Sequence, residues 1–157
     1  MAGNSPHLEI PSLPGAKIAV ISARWHRDIC QSMVAGAKRA LAQAGINNPE
    51  EIEVAGSFEL PLAAQYALDA GADAAIVLGV VIRGETPHFD FVCQGVTDGI
   101  MNLSLNRGKP IGFGVLTVDN REQAQARSGI PGSKEDKGFD SALAALDLLR
   151  IQKELSR

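Results

Sequence analysis

The chain of 157 residues is 45% hydrophobic and 21% charged, which describes one soluble globular unit burying about two thirds of its unfolded surface. Its 15 Lys and Arg against 18 Asp and Glu leave a formal charge of -3. With no basic excess to neutralise a phosphate backbone or an anionic bilayer, nucleic acid and membrane are excluded as partners.

Residues 1–15 carry Pro6, Pro11 and Pro14 and little periodicity, so they are expected to be an N-terminal arm ahead of a single domain at 16–157. Within the arm, Leu8, Glu9 and Ile10 suit a short edge strand, including one added to a neighbouring subunit. The arm has neither a basic start nor an apolar core, so no secretory signal is read and a cytoplasmic location is expected. Lys17 to Ser22 is a β-branched apolar run predicting the first strand. The first helix follows from Asp28 to Ala44, with Ile29, Met33, Ala37, Ala40, Leu41 and Ala44 on one face and Gly45 just past its end.

The same alternation recurs three times. Ile52 to Ala55 reads as a strand, and the helix after it has Pro61 in its first turn and stops at Gly71. Ala74 to Ile82 is apolar on both faces, as a central parallel strand should be, and is too short to span a bilayer. A long third helix is predicted from the stripe Phe89, Val92, Cys93, Val96, Ile100 and Leu103. Ile111 to Val118 is the fourth strand. Asn120 to Arg127 reads as a short helix capped by Asp119 or Asn120, with Glu122 near its third position. A last helix from about Asp140 places Ala142, Ala145, Leu146 and Leu149 on one face. Cys30 and Cys93 fall within helices and have no CxxC partner, which fits reduced packing residues and leaves no metal site expected.

The fold class is therefore α/β: a three-layer α/β/α sandwich whose four-stranded parallel sheet, of the flavodoxin-like kind, is covered by helices on both faces. Ligands of such sheets gather beyond the carboxyl ends of the strands. The loop after the third strand reads Arg83-Gly84-Glu85-Thr86-Pro87-His88 and enters a helix. Free amides, a flexible Gly and the Thr86 hydroxyl suit a phosphate monoester, and an ordinary turn capped by Thr86 accounts for the same residues. No P-loop or GxGxxG pattern occurs. His88 brings an imidazole, a group that ordinarily titrates near neutrality, to that helix start. Among only seven aromatics, Trp25 follows the first strand and Phe58 the second, offering faces for a flat heterocycle, while Phe113 lies in the fourth. Phe89, Phe91 and Phe139 are read as core filling. Glu59 suits the hydroxyls of a polyol or the dipole of its helix. Arg127 and Lys137, among Arg121, Lys134 and Asp136, form by default a solvated face.

Together these segments resemble the lumazine synthase family. The resemblance rests on Gly56-Ser57-Phe58-Glu59-Leu60-Pro61, on Leu78 to Asp90 with its Ile82-Arg83-Gly84-Glu85-Thr86-Pro87-His88-Phe89 core, on Phe113-Gly114-Val115-Leu116-Thr117, and on Glu122-Gln123-Ala124, Arg127 and Lys137-Gly138 in order. It implies condensation of a ribitylamino-pyrimidinedione with dihydroxybutanone phosphate, without cofactor or metal. By resemblance the pyrimidine stacks on Trp25 and bonds the backbone of Val80, Val81 and Ile82, while Ser57, Phe58 and Glu59 hold the ribityl chain. Gly84, Glu85 and Thr86 match the phosphate loop and His88 the proton-transfer residue. Phe113 and Arg127 would come from the adjacent subunit, with Lys137 a second basic residue near the phosphate.

The resemblance also implies a homo-oligomer with its active site shared between adjacent subunits, and a functional link to riboflavin synthase. Asp136 stands where many relatives carry Asn, and the segment from Gly129 to Asp136 is longer than in members that build sixty-subunit shells, so a pentamer is favoured. Alternatives are an archaeal-type riboflavin synthase, which fits the Gly84 to Phe89 loop less well, and a non-catalytic flavin or lumazine binder or scaffold, which has no need of His88 and Arg127. A flavin-mononucleotide electron carrier would need a Ser/Thr-rich loop where Ala23-Arg24-Trp25 stands.

Overall fold

A computed structural model describes residues 3–157. Strands β1 (Ile18–Ala23), β2 (Glu50–Val54), β3 (Ala74–Ile82) and β4 (Ile111–Val118) form one parallel sheet in the order β2-β1-β3-β4. Helices α1 (Arg27–Gln43), α4 (Arg121–Gln125) and α5 (Lys137–Leu155) pack on one face and α2 (Leu60–Asp69) and α3 (His88–Arg107) on the other. Alternation along the central strands separates two cores. Ile18, Val20, Ile76, Leu78 and Val80 meet α1 and α5, whereas Ala19, Ile21, Ala75 and Val77 meet α2 and α3. Gly138 in the first turn of α5 lies against the Met33 backbone, where a β-carbon has no room, so the two helices cross closely.

The expected fold class, with four strands and helices on both faces, is observed. Several local expectations shift. β2 starts at Glu50, two residues early, because pairing with β1 draws in Glu50 and Glu51, which stay exposed on this edge strand. In α3 the expected stripe is buried only from Val96 onward, while Phe89, Val92 and Cys93 are half-buried. Phe91 is not core: it is 72% exposed. Phe139 does pack against the α1 and α5 core. Asn120 caps α4 by accepting from the Gln123 amide at 2.9 Å, and Gln123, not Glu122, returns the contact by accepting from the Asp119 amide at 2.8 Å.

α5 starts three residues before Asp140, because Asp136 caps it by accepting from the Phe139 amide at 3.0 Å. Asp136 is therefore not part of a solvated face. Its carboxylate also binds Arg39 and fills a notch left by Gly36 and Gly129. Within the described chain Leu8 to Ile10 form no strand; Ile10 and Leu13 pack against the core, and the Leu13 amide donates to the Ala44 carbonyl at 2.8 Å. Residues 1–2 of the arm lie outside the described residues. Among the described residues no helix is long and apolar enough to cross a membrane.

Candidate active site

The order β2-β1-β3-β4 reverses direction between β1 and β3, and the crevice beyond the carboxyl ends of those strands is where such a sheet binds ligands. The register deepens that crevice. Pairing of β1 with β3 ends at Ser22 and Leu78, whereas β3 and β4 stay paired to Ile82 and Val118. Val80 to Ile82 therefore overrun β1 and leave one strand edge, with its amides and carbonyls, facing the space above β1.

Trp25 stands in that space. His26 adopts the left-handed conformation at φ 55° and ψ 47°, a backbone state costing a non-glycine residue about 1–2 kcal/mol, which turns the chain sharply from β1 into α1. The Cys30 thiol donates to the Trp25 carbonyl at 3.5 Å, and the indole, 68% exposed, leans on Gly56 just after β2. The turn Ser57–Glu59, a single 3-10 turn, then reaches from β2 to β3, where the Ser57 hydroxyl lies over Gly79. Ser57 Oγ is buried without a hydrogen-bond partner among the described residues. Glu59 accepts from the Gly56 amide at 2.9 Å and remains exposed, and Phe58, 61% exposed, lies against Gly95 of α3.

The loop Arg83 to His88 is exposed throughout. It is tied down by Arg83, which pairs with Asp119 at 3.1 Å and Asp90 at 3.5 Å and covers the Phe89 ring at 4.2 Å from its centroid. Those contacts occupy the guanidinium and raise its pKa, the hydrogen bond it donates to Asp119 contributing most. Thr86 Oγ1 accepts from the His88 amide at a long 3.4 Å, leaving the start of α3 open to an anion. No hydrogen bond or ion pair engages the His88 ring among the described residues.

Arg127 follows α4. Its guanidinium donates to the Gln123 carbonyl at 2.9 Å and faces Glu135 at 3.6 Å, and Lys137 faces Glu135 at 3.4 Å and Asp140 at 3.5 Å. The backbone brings these side chains together, since the Lys137 amide donates to the Arg127 carbonyl at 2.9 Å and the Gly129 amide to the Glu135 carbonyl at 3.0 Å. No hydrogen bond or ion pair joins Arg127 or Lys137 to residues 83–88 among the described residues. Phe113 is also remote from the crevice. It pairs with Val77 in mid-sheet, five residues before the end of β4 or roughly 16 Å along the strand. There it lines a groove with Asp90, Cys93, Gln94, Thr97 and Thr117.

One chain thus gathers Trp25, Ser57, Phe58, Glu59, the edge of Val80 to Ile82 and the loop Gly84 to His88 at the strand ends. Arg127 and Lys137 share Glu135, and Phe113 lines the groove beside α3; no hydrogen bond or ion pair joins their side chains to that group among the described residues. Sequence reasoning passed over the glycines that seat the side chains, Gly56 under Trp25, Gly79 under Ser57 and Gly95 under Phe58. For Gly79 and Gly95 an isolated Gly inside a strand or helix was the available signal.

The family model described as 6,7-dimethyl-8-ribityllumazine synthase matches residues 15–153. Among curated relatives carrying that same name, one from Kineococcus radiotolerans is 50% identical over 148 residues, covering 94% of this chain and 91% of the relative. One from Streptomyces avermitilis is 51% identical over 142 residues, with 90% and 88% covered. One from Clavibacter michiganensis subsp. michiganensis is 47% identical over 158 residues, with 99% and 98% covered.

Proposed function

The chain belongs to the 6,7-dimethyl-8-ribityllumazine synthase family, and from that premise we propose which of its residues carry the reaction. It is a transferase of riboflavin biosynthesis. It condenses 5-amino-6-ribitylamino-pyrimidinedione with 3,4-dihydroxy-2-butanone 4-phosphate to 6,7-dimethyl-8-ribityllumazine, releasing phosphate and water in the penultimate step of the pathway.

The observation that carries the site assignment is the overrun of β3 past β1 beside an exposed Trp25. A pyrimidinedione has in-plane donors and acceptors and two flat faces. The unpaired edge of Val80, Val81 and Ile82 answers the first, and the indole answers the second. The ribityl chain lies along Ser57, Phe58 and Glu59, where an exposed carboxylate accepts from hydroxyls. The phosphate of the second substrate sits at Gly84, Glu85 and Thr86 at the start of α3, with Arg127 and Lys137 as counter-charges.

Imine formation, loss of phosphate and ring closure each move a proton. His88, whose ring makes no hydrogen bond or ion pair among the described residues, serves those steps from beside the phosphate loop. No covalent nucleophile is called for, and holding two substrates in register supplies much of the acceleration.

The site is completed by a second subunit, which contributes Phe113 and Arg127. The exposed aromatics Trp25, Phe58, Phe91 and Phe113 form the apolar surface that a neighbour covers. A closed ring of five, with a site between each pair and Leu8 to Ile10 extending a neighbour's sheet, fits these features. Residues 16–157 act as one domain. The cytoplasm suits a chain with two free thiols, and riboflavin synthase is the functional neighbour that consumes the product.

The test is incubation of the purified protein with both substrates while the lumazine chromophore is followed. Its appearance at a rate above the uncatalysed reaction, reduced in Trp25→Ala, supports the assignment. Unchanged turnover and unchanged pyrimidine affinity in that variant contradict it.

A further inference from the structure

Two acidic residues stand side by side between the phosphate-site cations, and the structure uses them differently. Asp136 is locked in place. It caps α5, binds Arg39 and fills the notch at Gly36 and Gly129. Among the described residues the Glu135 side chain has no structural partner of that kind. Its contacts are with Arg127 at 3.6 Å through one carboxylate oxygen and with Lys137 at 3.4 Å through the other, both longer than an ordinary hydrogen bond. The loop does not depend on that carboxylate. The Glu135 backbone already donates to the Ala126 carbonyl at 3.1 Å and accepts from the Gly129 amide at 3.0 Å.

We infer that Glu135 sets the affinity of the phosphate subsite: its carboxylate is the resident counter-anion of Arg127 and Lys137, and the substrate's phosphate binds by displacing it. This rests on the assignment of Arg127 and Lys137 to the phosphate. Without Glu135 the two cations would keep only Asp140, 3.5 Å from Lys137, and would hold any phosphate more tightly, including the inorganic phosphate the reaction releases. A carboxylate loosely spanning both neutralises them when the subsite is empty and competes with phosphate when it is filled. A phosphate dianion carries more charge and more acceptor oxygens than a carboxylate, so it wins the exchange by a modest margin and leaves readily. When Glu135 swings away, Lys137 keeps Asp140 at 3.5 Å and Arg127 keeps the Gln123 carbonyl at 2.9 Å, so neither cation loses its position.

The experiment compares wild type, Glu135→Gln and Arg127→Ala in the full assembly. It measures competitive inhibition by inorganic phosphate and, independently of turnover, phosphate binding by calorimetry. In Glu135→Gln the inhibition constant and the dissociation constant are expected to fall roughly two- to tenfold, the scale of two partly exposed ion pairs, with KM for the phosphate substrate falling in parallel. A purely structural role for Glu135 moves both constants the other way. Unchanged or weaker phosphate binding in Glu135→Gln overturns the inference. If Arg127→Ala weakens phosphate binding in the same experiment, that failure is confined to Glu135; if Arg127→Ala leaves it unchanged, the phosphate-site assignment falls and the inference with it.

Discussion

The indole of Trp25 rests on Gly56: a β-carbon at position 56 would stand 2.9 Å from Trp25 Cδ1 and 3.5 Å from Nε1. The glycine is what gives the ring room there, so the placement of the indole depends on a residue from another strand end. Trp25→Ala is expected to weaken binding of the pyrimidine and of riboflavin-like ligands by about tenfold with the fold intact. Stacking supplies about 0.5–1.5 kcal/mol beyond buried area, and the exposed ring contributes little to either core. Gly56→Ala should weaken the same ligands by pushing the ring forward. Trp fluorescence titrated with riboflavin checks both, and emission unchanged by saturating ligand in the wild type would remove Trp25 from the site.

Arg127 and His88 should separate kinetically. A charge-assisted contact with phosphate acts in the ground state as well as the transition state, so Arg127→Ala mainly raises KM for the phosphate substrate. His88→Ala mainly lowers kcat, by roughly ten- to a thousandfold, without abolishing turnover, because substrate positioning survives. Steady-state kinetics with each substrate varied in turn checks the split, and the opposite pattern would exchange the two roles.

Cys30 reports on the α1 core beneath Trp25. Burial is the main cause that pushes its thiol from an ordinary 9.0 up to about 12. The folded chain therefore holds the proton to higher pH than the unfolded chain does. Stability linked to Cys30 is fully present below pH 9 and is lost as the pH rises from 9 towards 12. Cys30→Ala should flatten the alkaline limb of a denaturation profile. Iodoacetamide at pH 8 should label Cys30 only after unfolding, which peptide mapping by mass spectrometry reads directly.

What the sequence made legible followed from periodicity. β3 and β4 have the expected bounds, and the buried faces of α1 and α5 are those the helical spacing indicated, because burial on both faces or one leaves a repeat that a linear reading can count. Two of the shifts depend on contacts from elsewhere in the chain: β2 lengthens because β1 offers it pairing partners, and α5 starts early because Asp136 finds Arg39 and two glycines across the fold. Phe91 stands opposite the apolar stripe of α3, so its exposure follows from the helical period itself. The gathering of Trp25, Phe58, Glu59 and His88 at the strand ends was legible because a parallel sheet fixes where loops converge. The overrun of β3 and the Glu135 contact with two cations were not, since register and loop pairing leave no local pattern.

With Phe113 in mid-sheet and no hydrogen bond or ion pair from Arg127 to residues 83–88 among the described residues, the proposed site takes residues from two subunits, and mixed assembly is its direct test. Assayed with the phosphate substrate well below KM, His88→Ala and Arg127→Ala are each impaired in homogeneous form. They are unfolded together in equal amounts and refolded, with subunit exchange verified by mass spectrometry. A site is whole when one subunit keeps His88 and its neighbour keeps Arg127, so random mixing restores roughly a quarter of the sites. The account predicts activity well above that of either parent. Activity no greater than the mean of the two, in assemblies shown to be mixed, would contradict it.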